Sequence, residues 1–126
     1  MIDYKKKNDE IFLFSNCGVK QERLSFKQHL ENISLMNTGE LILNSIDRDG
    51  NGAGLDLEIL KLLKDSISKP MLLMGGAGKP EHLSEALQKK QVSGVITANL
   101  FNFLGSGLSL ARKKLIKEKV NVVDFE

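Results

Sequence analysis

The stretch LMGGAGKPEH, residues 73–82, joins a short apolar run to a segment with helical spacing. Three of the four residues from 75 to 78 are glycine, and Pro80 suits the first position of a helix. Glycine lets the main chain approach another group closely and adopt positive φ, and the N-terminus of a following helix favours an anion there. The stretch therefore indicates either a phosphate-binding turn or a plain tight turn between a strand and a helix. Its spacing is neither that of a P-loop nor GxGxxG.

Short apolar runs alternate with longer segments of helical spacing on both sides of this turn. Runs of this kind are typical of strands that are covered on both faces. We predict strands near residues 1–4, 41–46, 71–74 and 94–98, and helices at 25–37, 55–67, 80–90 and 105–119. A strand-like run at 10–16 is interpreted as a hairpin or a strand extension after the first strand. The pattern predicts an α/β fold of four βα units on a parallel sheet, either a small doubly wound sheet or half of an eight-stranded barrel.

All four predicted helices carry apolar stripes that define their inward faces. In the helix at 55–67 the stripe consists of Leu55, Ile59, Leu62, Leu63 and Ile67, with Asp56 and Glu58 in the first turn. In the helix at 105–119 the residues that recur at helical spacing are Leu108, Ala111 and Leu115.

Length and composition describe one domain, residues 1–126, without a strongly charged face. The net charge is +2 and acids are interspersed with lysines, so we expect no nucleic-acid partner. Cys17 is the only cysteine, which excludes a disulfide framework and a zinc pattern built on paired cysteines. No apolar run reaches the length of a membrane span, and the N-terminus lacks the apolar core of a signal peptide. We expect a cytoplasmic protein with no membrane association and no cofactor.

Polar residues follow each predicted strand, at the edge where parallel strands end. Asp3 and Lys5 follow the first strand, Asn44, Asp47 and Asp49 the second, and Ala98 and Asn99 the fourth. Carboxylates beside a phosphate turn suit general acid–base catalysis on a phosphorylated substrate, although each acid alone also fits a turn cap. No histidine or cysteine accompanies them, so we predict no metal site.

These residues also carry a resemblance to a known family. GELILNSIDRDGNGAGLDLEILK (39–61), GGAGKPEHLSEAL (75–87) and ITANLFNF (96–103), in this order, resemble the C-terminal half of the cyclase subunit of imidazole glycerol phosphate synthase. The resemblance implies a (β/α)8 TIM barrel made of two similar halves. It also implies a lyase of histidine biosynthesis that takes ammonia from a glutaminase partner and closes the imidazole ring of a bisphosphorylated ribotide.

The resemblance assigns roles to the residues at the strand ends. Asp3 matches a catalytic aspartate that acts as a general acid–base. The predicted substrate-binding residues are Lys5, Asn44, Asp49 and Gly50. The predicted phosphate-binding residues are Gly75, Gly76, Ala98 and Asn99. Asn44 departs from a more frequent threonine, and Asn99 from a common serine.

The first four βα units of the family are absent, and with them the second catalytic aspartate and the second phosphate site. We therefore expect two open sheet edges and an open apolar inner face, which an N-terminal half-barrel or a second copy of the chain would cover. The isolated half should lack complete cyclase activity. Two alternatives stay open: an ammonia-channelling relative that serves the synthesis of amidinated surface sugars, which Asn44 favours, and a non-catalytic phosphate-binding half-barrel.

Overall fold

The fold is a six-stranded mixed sheet with helices connecting its parallel strands. The computed structural model describes residues 1–63, 67–98, 100 and 105–123. The strands are β1 (Ile2–Lys7), β2 (Glu10–Ser15), β3 (Lys20–Gln21), β4 (Leu41–Ser45), β5 (Met71–Met74) and β6 (Val92–Ile96). The helices are α1 (Phe26–Leu35), α2 (Ile59–Leu63), α3 (Pro80–Leu87) and α4 (Gly107–Lys117). None of the helices in these ranges is long and apolar enough to cross a membrane.

The order of strands across the sheet is β3-β2-β1-β4-β5-β6. β1, β4, β5 and β6 are parallel, whereas β2 pairs antiparallel with β1 and β3 with β2. The prediction of four parallel strands with a hairpin after the first is thus confirmed. The first strand is longer than predicted, because the hairpin continues its pairing as far as Lys7 opposite Glu10. The fourth begins two residues earlier than predicted, at Val92.

A two-residue turn closes the hairpin between β1 and β2. Asn8 and Asp9 both have positive φ, 50° and 64°. Positive φ at both central residues is the geometry that matches the right-handed twist of paired strands, and asparagine and aspartate tolerate it better than most residues. The hairpin therefore covers the outer edge of β1.

The core lies between the sheet and the helices. Alternate residues of the parallel strands point to this side and are buried: Ile2, Tyr4, Leu41, Leu43, Met71 and Leu73. They meet apolar residues of α1 to α4, among them Leu30, Ile33, Ile59, Leu63, Leu83, Ala86, Ala111 and Leu115. This alternation is the period of two that a strand imposes on its side chains.

The opposite face of the sheet is only partly covered. It carries Asp3 and Asn44 among half-buried apolar side chains, namely Phe12, Phe14, Ile42, Leu72, Met74 and Ile96. We call this surface the inner face.

Two helices differ from the predicted stripes. α2 begins at Ile59 rather than residue 55, because residues 55–58 form a non-helical connection in which Asp56 is buried. Leu62 and Leu108 are 52% and 56% exposed, and Leu62 lines a groove against α1 and the hairpin. Residues 64–66, where the first of these helices was predicted to continue, lie outside the described residues.

The two faces of β5 provide a test of this arrangement with adjacent leucines. Leu73 is buried in the core, whereas Leu72 lies on the half-buried inner face. We expect Leu73→Ala to lower the free energy of unfolding by about 2–5 kcal/mol, because it leaves a cavity. Leu72→Ala should lower the free energy of unfolding by at most about half as much, because the Leu72 side chain buries less apolar area. Urea denaturation of the purified variants measures both, and equal losses would contradict the assignment of faces.

Candidate functional site

One row of side chains crosses the parallel strands near the end of their parallel pairing. Asp3 lies beside Asn44 in the register of β1 with β4, Asn44 beside Met74, and Met74 beside Ile96. The Asn44 amide Nδ2 donates a hydrogen bond to Asp3 Oδ1 at 2.9 Å. Asn44 is only 6% exposed, so this amide holds the carboxylate from a fixed position. Two residues that are 41 apart in sequence thereby form a polar pair on the inner face.

The glycine turn lies beside this pair. Gly75 and Gly76 have φ of +92° and +100°, a region that side chains disfavour. A Cβ atom at Gly75 would overlap the Ser45 carbonyl oxygen, and one at Gly76 would overlap the Gly54 carbonyl oxygen. The Gly54 N–H donates to the Gly76 carbonyl oxygen at 2.8 Å. Both glycines are therefore required because the loops after β4 and β5 touch through their main chains.

His82 takes up one N–H group of the glycine turn. The Gly78 N–H donates to His82 Nδ1 at 3.1 Å, from the turn to the first turn of α3. An anion would therefore have to contact residues 75–77 rather than Gly78. The sequence placed His82 correctly in a helix, but its contact with the turn was missed. Lys79, which immediately precedes α3, is exposed.

A small cavity of about 80 Å³ lies at the ends of β5 and β6. It is lined by Asp49, Gly50, Met74, Gly75, Gly76, Ala77, Ile96, Thr97 and Ala98. This volume is well above the roughly 10–15 Å³ that one water molecule needs, and its scale suits a small anion. Three larger grooves, of about 570, 630 and 330 Å³, lie against the hairpin, the segment after it and α1, and the third includes Asp3.

The cavity unites five of the nine residues predicted for the site: Asp49, Gly50, Gly75, Gly76 and Ala98. Asp3 and Asn44 lie next to it rather than in its wall, linked to it because Asn44 Oδ1 adjoins Gly75. The Lys5 ammonium lies 4.7 Å from the centre of the Phe14 ring, on the hairpin side. Asn99 lies outside the described residues.

The remaining acid of this region, Asp47, has a structural contact. Its Oδ2 accepts a hydrogen bond from the Lys6 N–H at 2.9 Å, which ties the loop after β4 to β1. Among the residues that the structure describes, no group of three or more His, Cys, Asp or Glu side chains is arranged to hold a metal ion.

Comparison with known proteins places the chain in a family. A family model described as "Histidine biosynthesis protein" matches residues 1–105. The chain belongs to this histidine biosynthesis protein family. The family folds as a TIM barrel, so the four βα units are part of such a barrel and the doubly wound alternative is excluded.

Several members of the family are similar to the chain over most of its length. It is 35% identical over 113 residues to a protein of Parasynechococcus marenigrum with the provisional name imidazole glycerol phosphate synthase subunit hisF2, covering 90% of the chain and 42% of that protein. It is 34% identical over 101 residues to imidazole glycerol phosphate synthase subunit HisF of Saccharolobus solfataricus, covering 80% of the chain and 40% of that protein. For HisF of Chlorobaculum parvum the identity is 32% over 114 residues, covering 90% and 45%. The chain thus spans less than half the length of these relatives.

The contact between the two loops can be tested at Gly76. We expect Gly76→Ala to lower the free energy of unfolding by at least roughly 1–3 kcal/mol, the usual cost of a strained main chain, because its methyl group also meets Gly54. Hydrogen exchange of the Gly54 N–H should accelerate, since its acceptor moves. Gly39→Ala is the matched control, because nothing lies within 4 Å of a Cβ there. Equal behaviour of the two variants would show that the loops do not touch as described.

Proposed function

We propose that the chain is the C-terminal half-barrel of a cyclase of the imidazole glycerol phosphate synthase type. The observation that carries this proposal is the Asp3–Asn44 pair directly beside the glycine turn of Gly75 and Gly76. In such an enzyme, ammonia reacts with a bisphosphorylated ribotide and closes an imidazole ring. The names of the relatives and the family of the chain support the same reaction.

Asp3 is proposed as the general acid–base of this half. Ring closure around an incoming nitrogen requires protons to be removed and returned at defined atoms. The Asn44 amide occupies Asp3 Oδ1, which leaves Oδ2 as the oxygen that faces a substrate on the inner face. Asn44, Lys5, Asp49 and Gly50 are proposed to contact that substrate around the carboxylate.

The cavity at the ends of β5 and β6 is proposed to hold one phosphate group. Main-chain N–H groups at Gly76, Ala98, Asn99 and Gly50 would be the donors, and Gly75 lets the chain come close enough. Donors of this kind suit phosphate because fixed dipoles are aimed at the negative charge without side-chain reorganisation. Asp49 on the wall is the one unfavourable charge, so its carboxylate is proposed to face the sugar rather than the phosphate.

Two partners complete the proposed enzyme. The half-buried apolar residues of the inner face indicate a second half-barrel, either an N-terminal half or another copy of the chain, because a barrel interior is normally filled from all sides. A glutaminase subunit is proposed as the source of ammonia. The relatives are themselves subunits of a larger enzyme.

The glycine turn and the cavity beside it also support a second candidate function, phosphate binding without catalysis. A phosphate-binding half-barrel without catalysis would keep the glycine turn but would have no second acid and no second phosphate site. Asn44 beside Asp3 also keeps open a cyclase-like protein that delivers ammonia to an amidinated sugar. Both candidates would bind phosphate as the first does, but neither would close the imidazole ring of the bisphosphorylated ribotide.

The reaction itself is tested by substituting Asp3. The chain is mixed with an N-terminal half-barrel of a relative, ammonium and the bisphosphorylated ribotide, and ring closure is followed by absorbance. We expect Asp3→Asn to reduce the rate by roughly 10²–10⁴-fold, the usual contribution of a general acid–base. Asp9→Asn is the control, because Asp9 is exposed at the hairpin tip and asparagine tolerates its positive φ.

Phosphate binding distinguishes the two candidate functions. We expect saturable shifts of the Gly50, Gly76 and Ala98 amide signals when inorganic phosphate is titrated into the chain, and unchanged signals in α1. Binding together with turnover in the assembled barrel supports the cyclase. Binding without turnover, in an assembly shown to be folded, supports the non-catalytic half-barrel. Absence of both refutes the site.

A further inference from the structure

Tyr4 is attached to both ends of the loop that follows β4, residues 46–56, which we call the β4 loop. Its carbonyl oxygen accepts a hydrogen bond from the Ile46 N–H at 3.0 Å. Its hydroxyl donates to Asp56 Oδ2, also at 3.0 Å. We infer that Tyr4 and Asp56 are positioning residues, which hold the β4 loop against the glycine turn and thereby shape the cavity. The role of the cavity as a phosphate site rests on the function proposed above.

Burial of this pair is hard to explain by packing alone. Tyr4 is 1% and Asp56 4% exposed, and Asp56 Oδ1 is buried without a hydrogen-bond partner in the part of the chain that the structure describes. A buried carboxylate with an unpaired oxygen is destabilising. Apolar side chains of similar volume in place of a buried polar pair are often neutral or stabilising. What the polar pair supplies, and an apolar pair does not, is a hydrogen bond with a fixed direction.

Burial and the neighbouring Asp56 carboxylate keep the Tyr4 hydroxyl a hydrogen-bond donor. Burial, and after it the Asp56 carboxylate, raise the pKa of Tyr4 above its usual range. The Ser45 hydroxyl and the Arg48 guanidinium act in the opposite direction, but they do not cancel the rise. The hydroxyl therefore stays protonated at neutral pH and donates to Asp56.

A short stretch of main chain connects Asp56 to the wall of the cavity. Gly54, two residues earlier, donates its N–H to the Gly76 carbonyl oxygen at 2.8 Å, and its own carbonyl oxygen accepts from Arg48 Nη1 at 3.2 Å. Gly76 has no space for movement toward Gly54, since even a Cβ atom would overlap it. A shift of Asp56 is therefore passed to the glycine turn.

The test uses Tyr4→Phe and hydrogen exchange of the Gly54 N–H, which reports the loop contact without any ligand. We expect Gly54 exchange to accelerate roughly tenfold or more relative to the Leu43 amide in β4, the scale of one lost hydrogen bond to a charged group. Inorganic phosphate should bind the variant roughly tenfold more weakly than the parent chain. Unchanged relative exchange at Gly54 would overturn the inference.

Two further variants separate positioning from general stability. Asp56→Asn keeps an oxygen acceptor for the Tyr4 hydroxyl, so Gly54 exchange should stay within about threefold of the parent chain. Tyr4→Phe combined with Asp56→Leu removes the buried charge and should recover stability in urea. If the pair positions the loop, Gly54 exchange stays fast and phosphate affinity stays low in this double variant. If both return to parental values, the pair is merely structural and the inference is wrong.

The same measurements separate this inference from the proposed function. If the parent chain shows no saturable response to phosphate while Gly54 exchange behaves as expected in all variants, the positioning role stands. In that case the phosphate site of the proposed function is refuted.

Discussion

The parallel pairing of β1 with β4 and of β4 with β5 is the constraint on which the site depends. It fixes Asp3 beside Asn44 and Asn44 beside Met74, so residues far apart in sequence share one row. Because side chains alternate across a sheet, a shift of one residue would send Asp3 to the helix side and Tyr4 to the inner face. The buried residues Ile2, Leu43 and Leu73 oppose such a shift, since it would expose them. Core packing thus sets the geometry of the polar row.

Much of this arrangement can be predicted from the sequence, because the periodicity of a strand and the conformations open to glycine depend on neighbouring residues only. The apolar runs around Leu43 and Leu73 mark buried parallel strands, and the glycines from 75 mark a close approach. The carboxyl ends of parallel strands share one edge of the sheet, so the sequence alone predicts that Asp49, Gly76 and Ala98 lie close together. The structure unites these three around one cavity, although their chemical roles remain predictions.

The features that the sequence did not reveal depend on contacts between distant segments. Asp56 resembles a favourable residue for a helix N-terminus, but it is buried and accepts a hydrogen bond from the Tyr4 hydroxyl, 52 residues away in sequence. The stripe that includes Leu62 fits a helix, yet its exposure depends on which neighbour covers α2. Periodicity identifies an apolar face without naming what packs on it. His82 similarly gave no local sign that its ring would accept a main-chain N–H.

The hairpin makes the two margins of the parallel sheet unequal for assembly. β2 already occupies the outer side of β1 along five residue pairs, from Asp3 to Lys7. Among the described strands, β6 has β5 on one side and no neighbour on the other. The margin at β1 is therefore filled from within the chain, whereas β6 offers its main-chain N–H and C=O groups to a further strand.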